Sequence, residues 1–222
     1  MPVAPPAPPA FDLREAVKHL VCRHAASAGR LVLLIGGPGY AGKSTFAEEL
    51  ANELTKQDQP TTVLELDCYL IERSRRQTAD GPISGYNPAG YLLREACRDI
   101  DALLAGRRIV VSPYDKATGS RAPPINLCRT KHLIIEGSMA LRDPIYPFGS
   151  VSLFLDAPQQ VLYANRKRRE LAYGSTPAEI DRKFELLLHD DAAYIAPQRP
   201  RAQMVAEIDE RYAFLSLKVC VS

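Results

Sequence analysis

Lys43, Ser44 and Thr45 stand at the end of the glycine-rich stretch GGPGYAGKST, residues 36–45, whose spacing fits G-x-x-x-x-G-K-[ST] with Gly37, Gly42, Lys43 and Ser44 in the fixed places. Those residue types in that order make an anion cradle. Glycines let backbone N–H groups converge on phosphate oxygens, and the helix expected to follow turns its positive end toward them. The Lys43 ammonium reaches the β- and γ-phosphates, and the Ser44 hydroxyl ligates Mg²⁺. Gly37, Gly39, Ala41, Gly42, Lys43, Ser44 and Thr45 are therefore the candidate nucleotide-binding positions, and a nucleoside triphosphate is the ligand they imply.

Acidic residues follow several apolar runs. TTVLEL is followed by Asp67, HLII by Glu136 and SLFL by Asp156, while IVVS leads into PYDKATGSR, residues 113–121. A carboxylate just past a buried strand can hold a magnesium–nucleotide complex through water or accept a proton from an attacking hydroxyl. Asp67 and Glu136 are the stronger pair, because Asp156 precedes a Pro-led helix start and reads equally well as a cap. The run NRKRRE carries Arg166 and Arg169 on one helical face, where they suit a basic lid over phosphates. RSRRQ, residues 73–77, reads either as a clamp for an anionic acceptor near Asp67 or as a solvated loop.

The elements that must position these residues are legible in outline. Leu31 to Ile35 forms a short apolar run before the glycines, and Phe46, Leu50 and Leu54 with Ala47 and Ala51 give helical periodicity after them. Further strands are expected at Thr61 to Leu66, Arg108 to Ser112, Leu133 to Ile135, Val151 to Leu155 and Met204 to Ile208, with helices between most of them. A leading helix is expected from Phe11 to near Gly29. This alternation predicts an α/β fold of the P-loop NTPase type: a mostly parallel, doubly wound sheet flanked by helices, with ligands at the carboxyl ends of the strands and a helical lid over about residues 158–176. Residues 1–10, with five prolines and no charge, read as a disordered tail, and residues 11–222 as one P-loop domain.

Composition narrows the function. The 222 residues carry a formal net charge of +2, too balanced to argue for nucleic acid or an anionic membrane as partner. The five cysteines are scattered and contain no C-x-x-C pair, so neither a disulfide framework nor a zinc site is indicated, and a reducing, cytoplasmic setting is expected. A GTPase reading fails: TKQD, residues 55–58, fits the base-reading motif by letters but falls far too early, and no D-x-x-G occurs. A small-molecule kinase, with ATP and a small hydroxylated metabolite as partners, fits the acids and the basic lid better.

The ordered motifs GGPGYAGKST, LDCYL, YNPAGY, PYDKATGSR, LIIEGSMAL and YIAPQRPRAQMV resemble those of the uridine kinase and phosphoribulokinase family over about residues 31–207. The resemblance implies ATP and Mg²⁺ as cofactors, Asp67 as general base on the acceptor hydroxyl, Ser44 and Glu136 as organisers of Mg²⁺, Tyr114 in contact with the acceptor, and Arg166 and Arg169 on phosphates. It also implies a homo-oligomer in many members. The chain departs from the uridine kinases where the acceptor is read: Gly119 replaces a histidine, Lys116 an aromatic residue, Ser175 an arginine, Lys183 a glutamine and Asn87 a histidine. Uridine and cytidine are therefore disfavoured, and Lys116, Lys183 and Arg121 would favour an anionic sugar phosphate or carboxylate if they face the acceptor. Two other readings stay open: a regulatory protein that binds nucleotide without transfer, and a kinase that modifies an antibiotic or a nucleotide-sugar.

Overall fold

The computed structural model describes residues 12–79, 81–128 and 130–220; the tail expected over residues 1–10, and Phe11, lie outside them. Its centre is a six-stranded sheet: β1 (Val32–Gly36), β2 (Thr61–Glu65), β3 (His132–Glu136), β4 (Val151–Asp156), β5 (Met204–Ile208) and β6 (Phe214–Val219), in the order β6-β5-β4-β1-β3-β2. The pairs among β1 to β5 are parallel and β6 closes one edge antiparallel to β5. The mostly parallel sheet expected from the sequence is thus present, and the antiparallel edge is an addition to it.

Strands β1 and β3 are buried along their whole length, as strands covered on both faces must be. Their alternate residues build two cores. Leu33, Ile35, Ile134, Leu153 and Leu155 pack with Val17 of α1 (Leu13–Ala28) and with Phe46, Leu50 and Leu54 of α2 (Lys43–Lys56). Leu34, Leu133, Ile135 and Phe154 face the other way, toward Ala96, Ile100 and Leu103 of α3 (Leu93–Leu104). Helix α1 starts on an Asp12 cap, whose carboxylate accepts from Arg14 and Glu15 N–H, and ends at Gly29 with φ +68°.

One strand expectation is corrected. Ile109–Val111 lies outside the central sheet and pairs antiparallel with Ile125–Leu127. Its middle residue, Val110, is 62% exposed, so the run covers core with one side only and lacks the two-sided burial of a central strand. Beside it, Tyr114–Asp115 and Ser120–Arg121 form a small hairpin that leans over the carboxyl end of β2. The basic run expected in a lid falls on α4 (Gln159–Ala172), and α5 (Pro177–Asp190) follows it. A capping box at Thr176 and Glu179, with Pro177 in the first turn, sets the start of α5.

Candidate active site

The glycine-rich turn leaves β1 and enters α2 through positive-φ backbone at Gly37, Tyr40 and Gly42. Gly37 has φ +130°, and a Cβ there would stand 2.1 Å from the Leu155 carbonyl oxygen. Gly42, at φ +74°, is the N-cap of α2 and offers no side chain to its first amides, which remain open to an anion. Lys43, buried as the first residue of the helix, folds back to donate from Nζ to the Pro38 carbonyl at 2.7 Å. Burial lowers its pKa, while the carboxylates of Glu136 and Asp67 act in the opposite direction.

At the end of β3, Glu136 is 2% exposed and accepts from the Ser44 hydroxyl at 2.9 Å. Its pKa is pushed up to about 7, chiefly by burial, with Lys43 opposing and Asp67 reinforcing. Asp67 sits on the short 3-10 turn Leu66–Tyr69 directly behind β2. Its surroundings would by themselves raise its pKa, but Lys116, 3.1 Å away, and Lys43 outweigh that and hold it below the ordinary carboxylate range. The partner lysine is held up by the same contact. The hydroxyl of Tyr91, a buried residue, lies 3.5 Å from Asp67 Oδ1 and donates to the Gly85 carbonyl at 2.9 Å.

These groups share one cavity of about 630 Å³, whose lining includes Gly39, Gly42, Lys43, Ser44 and Thr45 together with Asp67, Tyr114, Lys116 and Glu136. Arg166 and Arg169 of α4 also line it, each with its guanidinium 5.4 Å from the centre of the Tyr40 ring. Arg166 is 3% exposed; Nη2 reaches Glu170 Oε1 at 3.5 Å, while Nε and Nη1 have no partner. Among the expected site residues, Gly37 and Ala41 do not line the cavity. Asp156 lies apart: it accepts from Ala157 N–H and from Arg199 Nε, and faces a separate cavity of about 270 Å³.

The residues that depart from the uridine kinase pattern divide. Lys116 and Lys183 line the main cavity, Lys183 paired with Glu170 at 3.3 Å, whereas Arg121 is exposed on its hairpin away from the cavity lining. Gly119 packs against Arg73, Asn87 caps the short turn at Pro88, and Ser175 donates to Glu170. Sequence reasoning missed Tyr86, Tyr91 and Glu170. Tyr86 accepts from the Gly39 N–H at 2.5 Å and Glu170 gathers Tyr40, Arg166, Ser175 and Lys183; of these contacts only the i,i+4 spacing of Arg166 and Glu170 is a local signal. Arg76 was present only as one charge in RSRRQ.

A phosphate-binding turn between a central parallel strand and its helix, facing a carboxylate on the neighbouring strand and arginines from a covering helix, defines a P-loop kinase. A sequence profile of the Phosphoribulokinase / Uridine kinase family matches residues 32–211, and the chain belongs to that family. It is 25% identical over 152 residues to a uridine kinase of Mannheimia succiniciproducens, covering 66% of this chain and 70% of that one. It is 23% identical over 186 residues to a uridine kinase of Leuconostoc citreum, covering 82% and 84%. Its fold is similar to that of a D-glycerate 3-kinase from Cryptococcus neoformans var. grubii, with TM-score 0.66, 14% identity and coverage of 96% and 100%. The chain is an ATP-dependent kinase that transfers a phosphoryl group. Among the described residues, no helix is long and apolar enough to cross a membrane.

Proposed function

We propose that this kinase moves the γ-phosphoryl group of ATP to a hydroxyl of a small metabolite, with Asp67 as the general base. The observation that carries the reading is the Asp67–Lys116 pair: a carboxylate held ionised in the wall of the cavity that also contains the phosphate-binding turn. Asp67 accepts or orients the proton of the acceptor hydroxyl, and Tyr91 and Tyr114 bound the space in which that hydroxyl is held. Lys43, Arg166 and Arg169 face the charge that spreads over the transferring group. The unpartnered nitrogens of Arg166 suit phosphate oxygens.

The metal site fits Mg²⁺. Ser44 and Glu136 offer a hydroxyl and a carboxylate side by side, and no cluster of three or more His, Cys, Asp or Glu suited to a metal occurs among the described residues. That donor set suits a hard cation whose other ligands are waters and phosphate oxygens. Mg²⁺ bound there supplies neutralisation of the β- and γ-phosphate charge. Helix α4 and its junction with α5, over about residues 158–176, serve as the lid, keeping water from the transfer by covering Tyr40 and the phosphate-binding turn.

The test is release of ADP from Mg²⁺·ATP across uridine, cytidine, nicotinamide riboside, ribulose 5-phosphate, glycerate and pantothenate, with Asp67→Asn as the blank. Release that needs both an acceptor and Asp67 supports the reading. Release that is independent of Asp67 contradicts it.

A further inference from the structure

Arg76 follows the short turn Arg73–Arg75 and sends its side chain into the wall of the main cavity, where the residue is 8% exposed. Nη2 donates to the Tyr114 hydroxyl at 2.7 Å and the guanidinium lies 5.7 Å from the centre of the Tyr114 ring. A Cβ on Gly85 would stand 3.1 Å from Nη1, so glycine at that position leaves this nitrogen room. Nε is buried without a partner. Among the described residues, no carboxylate pairs with Arg76. The other cavity cations are differently placed: Lys116 pairs with Asp67, Lys183 and Arg166 with Glu170, Arg73 donates to the carbonyls of Lys116 and Ala117, Lys43 donates to the Pro38 carbonyl, Arg169 donates to the Tyr173 hydroxyl, and Arg182 is exposed.

A buried guanidinium with no counter-charge is costly unless an anion completes it. Its planar fork matches a carboxylate or phosphate better than any neutral group. Location decides which substrate supplies that anion. Arg76 touches Tyr114 and borders Gly85, and Tyr91 links the Gly85 carbonyl to Asp67. The uncompensated charge is therefore linked to the carboxylate through Gly85 and Tyr91, on the acceptor's side, while the nucleotide phosphates have Lys43, Arg166 and Arg169.

We propose that the phosphate acceptor carries an oxyanion, a carboxylate or a phosphate group, besides the hydroxyl that is phosphorylated, and that Arg76 binds it and sets acceptor specificity. The inference rests on the kinase reading for the place of that hydroxyl at Asp67. A neutral nucleoside leaves Arg76 uncompensated and is a poor acceptor.

The test separates binding from transfer. With the phosphate-binding turn filled by Mg²⁺ and a non-hydrolysable ATP analogue, glycerate, inorganic phosphate and glycerol are titrated calorimetrically into wild type, Arg76→Met and Arg76→Lys. Binding of glycerate or phosphate but not glycerol is expected, weakened on the order of tenfold or more in Arg76→Met and less in Arg76→Lys, with nucleotide affinity unchanged. Glycerate alone identifies a carboxylate as the recognised group, and phosphate alone a phosphate. Turnover of glycerate against glycerol, and of ribulose 5-phosphate against ribulose, is expected to favour the anionic member, with Arg76→Met raising its KM far more than it lowers kcat. Absence of anion binding to wild type, equal binding by Arg76→Met, or equal use of the neutral acceptors overturns the proposal. Arg76-dependent anion binding without any phosphoryl transfer to the anionic acceptors supports the anion site and overturns the placement of the acceptor hydroxyl at Asp67 instead.

Discussion

Lys116 Nζ lies 3.1 Å from Asp67 Oδ2, joining the hairpin at Tyr114–Arg121 to the turn behind β2. The uridine kinase pattern has an aromatic residue where Lys116 stands, so this chain places a cation on its own candidate base. The pair keeps the carboxylate ionised without filling the cavity.

Removing that cation is expected to move the acid limb of the rate profile. In wild type, Lys116 and Lys43 hold the Asp67 pKa down against the effect of its surroundings. In Lys116→Met one of those cations is gone, the pKa rises from its wild-type position, and activity is lost at a higher pH on the acid side. A kcat/KM profile checks this: the acid limb shifts toward neutral pH in Lys116→Met and stays near wild type in Lys116→Arg.

Asp191 gives a stability prediction of opposite sign. Burial, reinforced by Asp156 and opposed by Lys43, raises its pKa to about 6, and Oδ1 is buried without a partner. The native state therefore keeps this proton after the unfolded chain has released it. The stabilisation is full below the unfolded-state value and is lost as pH rises through about 6. Thermal melts should show Asp191→Asn gaining on wild type as pH rises from about 4 to 7.

Gly37→Ala is expected to cost at least about 2 kcal/mol, through left-handed backbone and a clash with the Leu155 carbonyl. Denaturant unfolding measures the loss. Nucleotide titration of the surviving folded protein should show weakened binding, because the turn must move to accommodate the methyl group.

Arg166→Ala tests the lid. Its buried, partly unpartnered guanidinium faces the phosphates in the proposed reaction, so turnover should fall on the order of a hundredfold. Thr176→Ala, which breaks the capping box of α5, should cost only about 1 kcal/mol of stability. A similar loss of turnover in both variants would point to helix packing rather than to charge.

The phosphate-binding turn was legible because its chemistry is local: a few glycines, a lysine and a serine fix both backbone and ligand. Strand β1 was legible because two-sided burial leaves an uninterrupted apolar run, and most of β3 reads the same way, whereas β2 alternates buried and half-buried residues. Ile109–Val111 was misplaced for the complementary reason, since three apolar residues do not state which strand they pair with. Strand β6 was not anticipated; Leu215 and Val219 are 61% and 57% exposed, so its pattern lacks a buried strand's signature. Arg76 lay within a run of charges whose solvated and buried members look alike in sequence. Only packing against Tyr114 and Gly85 distinguishes it from Arg75, which is exposed.

The most direct measurement follows the label of γ-³²P-ATP into the acceptor, in wild type and in Asp67→Asn, with nucleotide binding measured on the same preparations. The account predicts a labelled phosphomonoester with wild type, loss of transfer by at least about a hundredfold in Asp67→Asn, and unchanged ATP affinity. Transfer at near wild-type rate by Asp67→Asn would contradict the role assigned to that carboxylate.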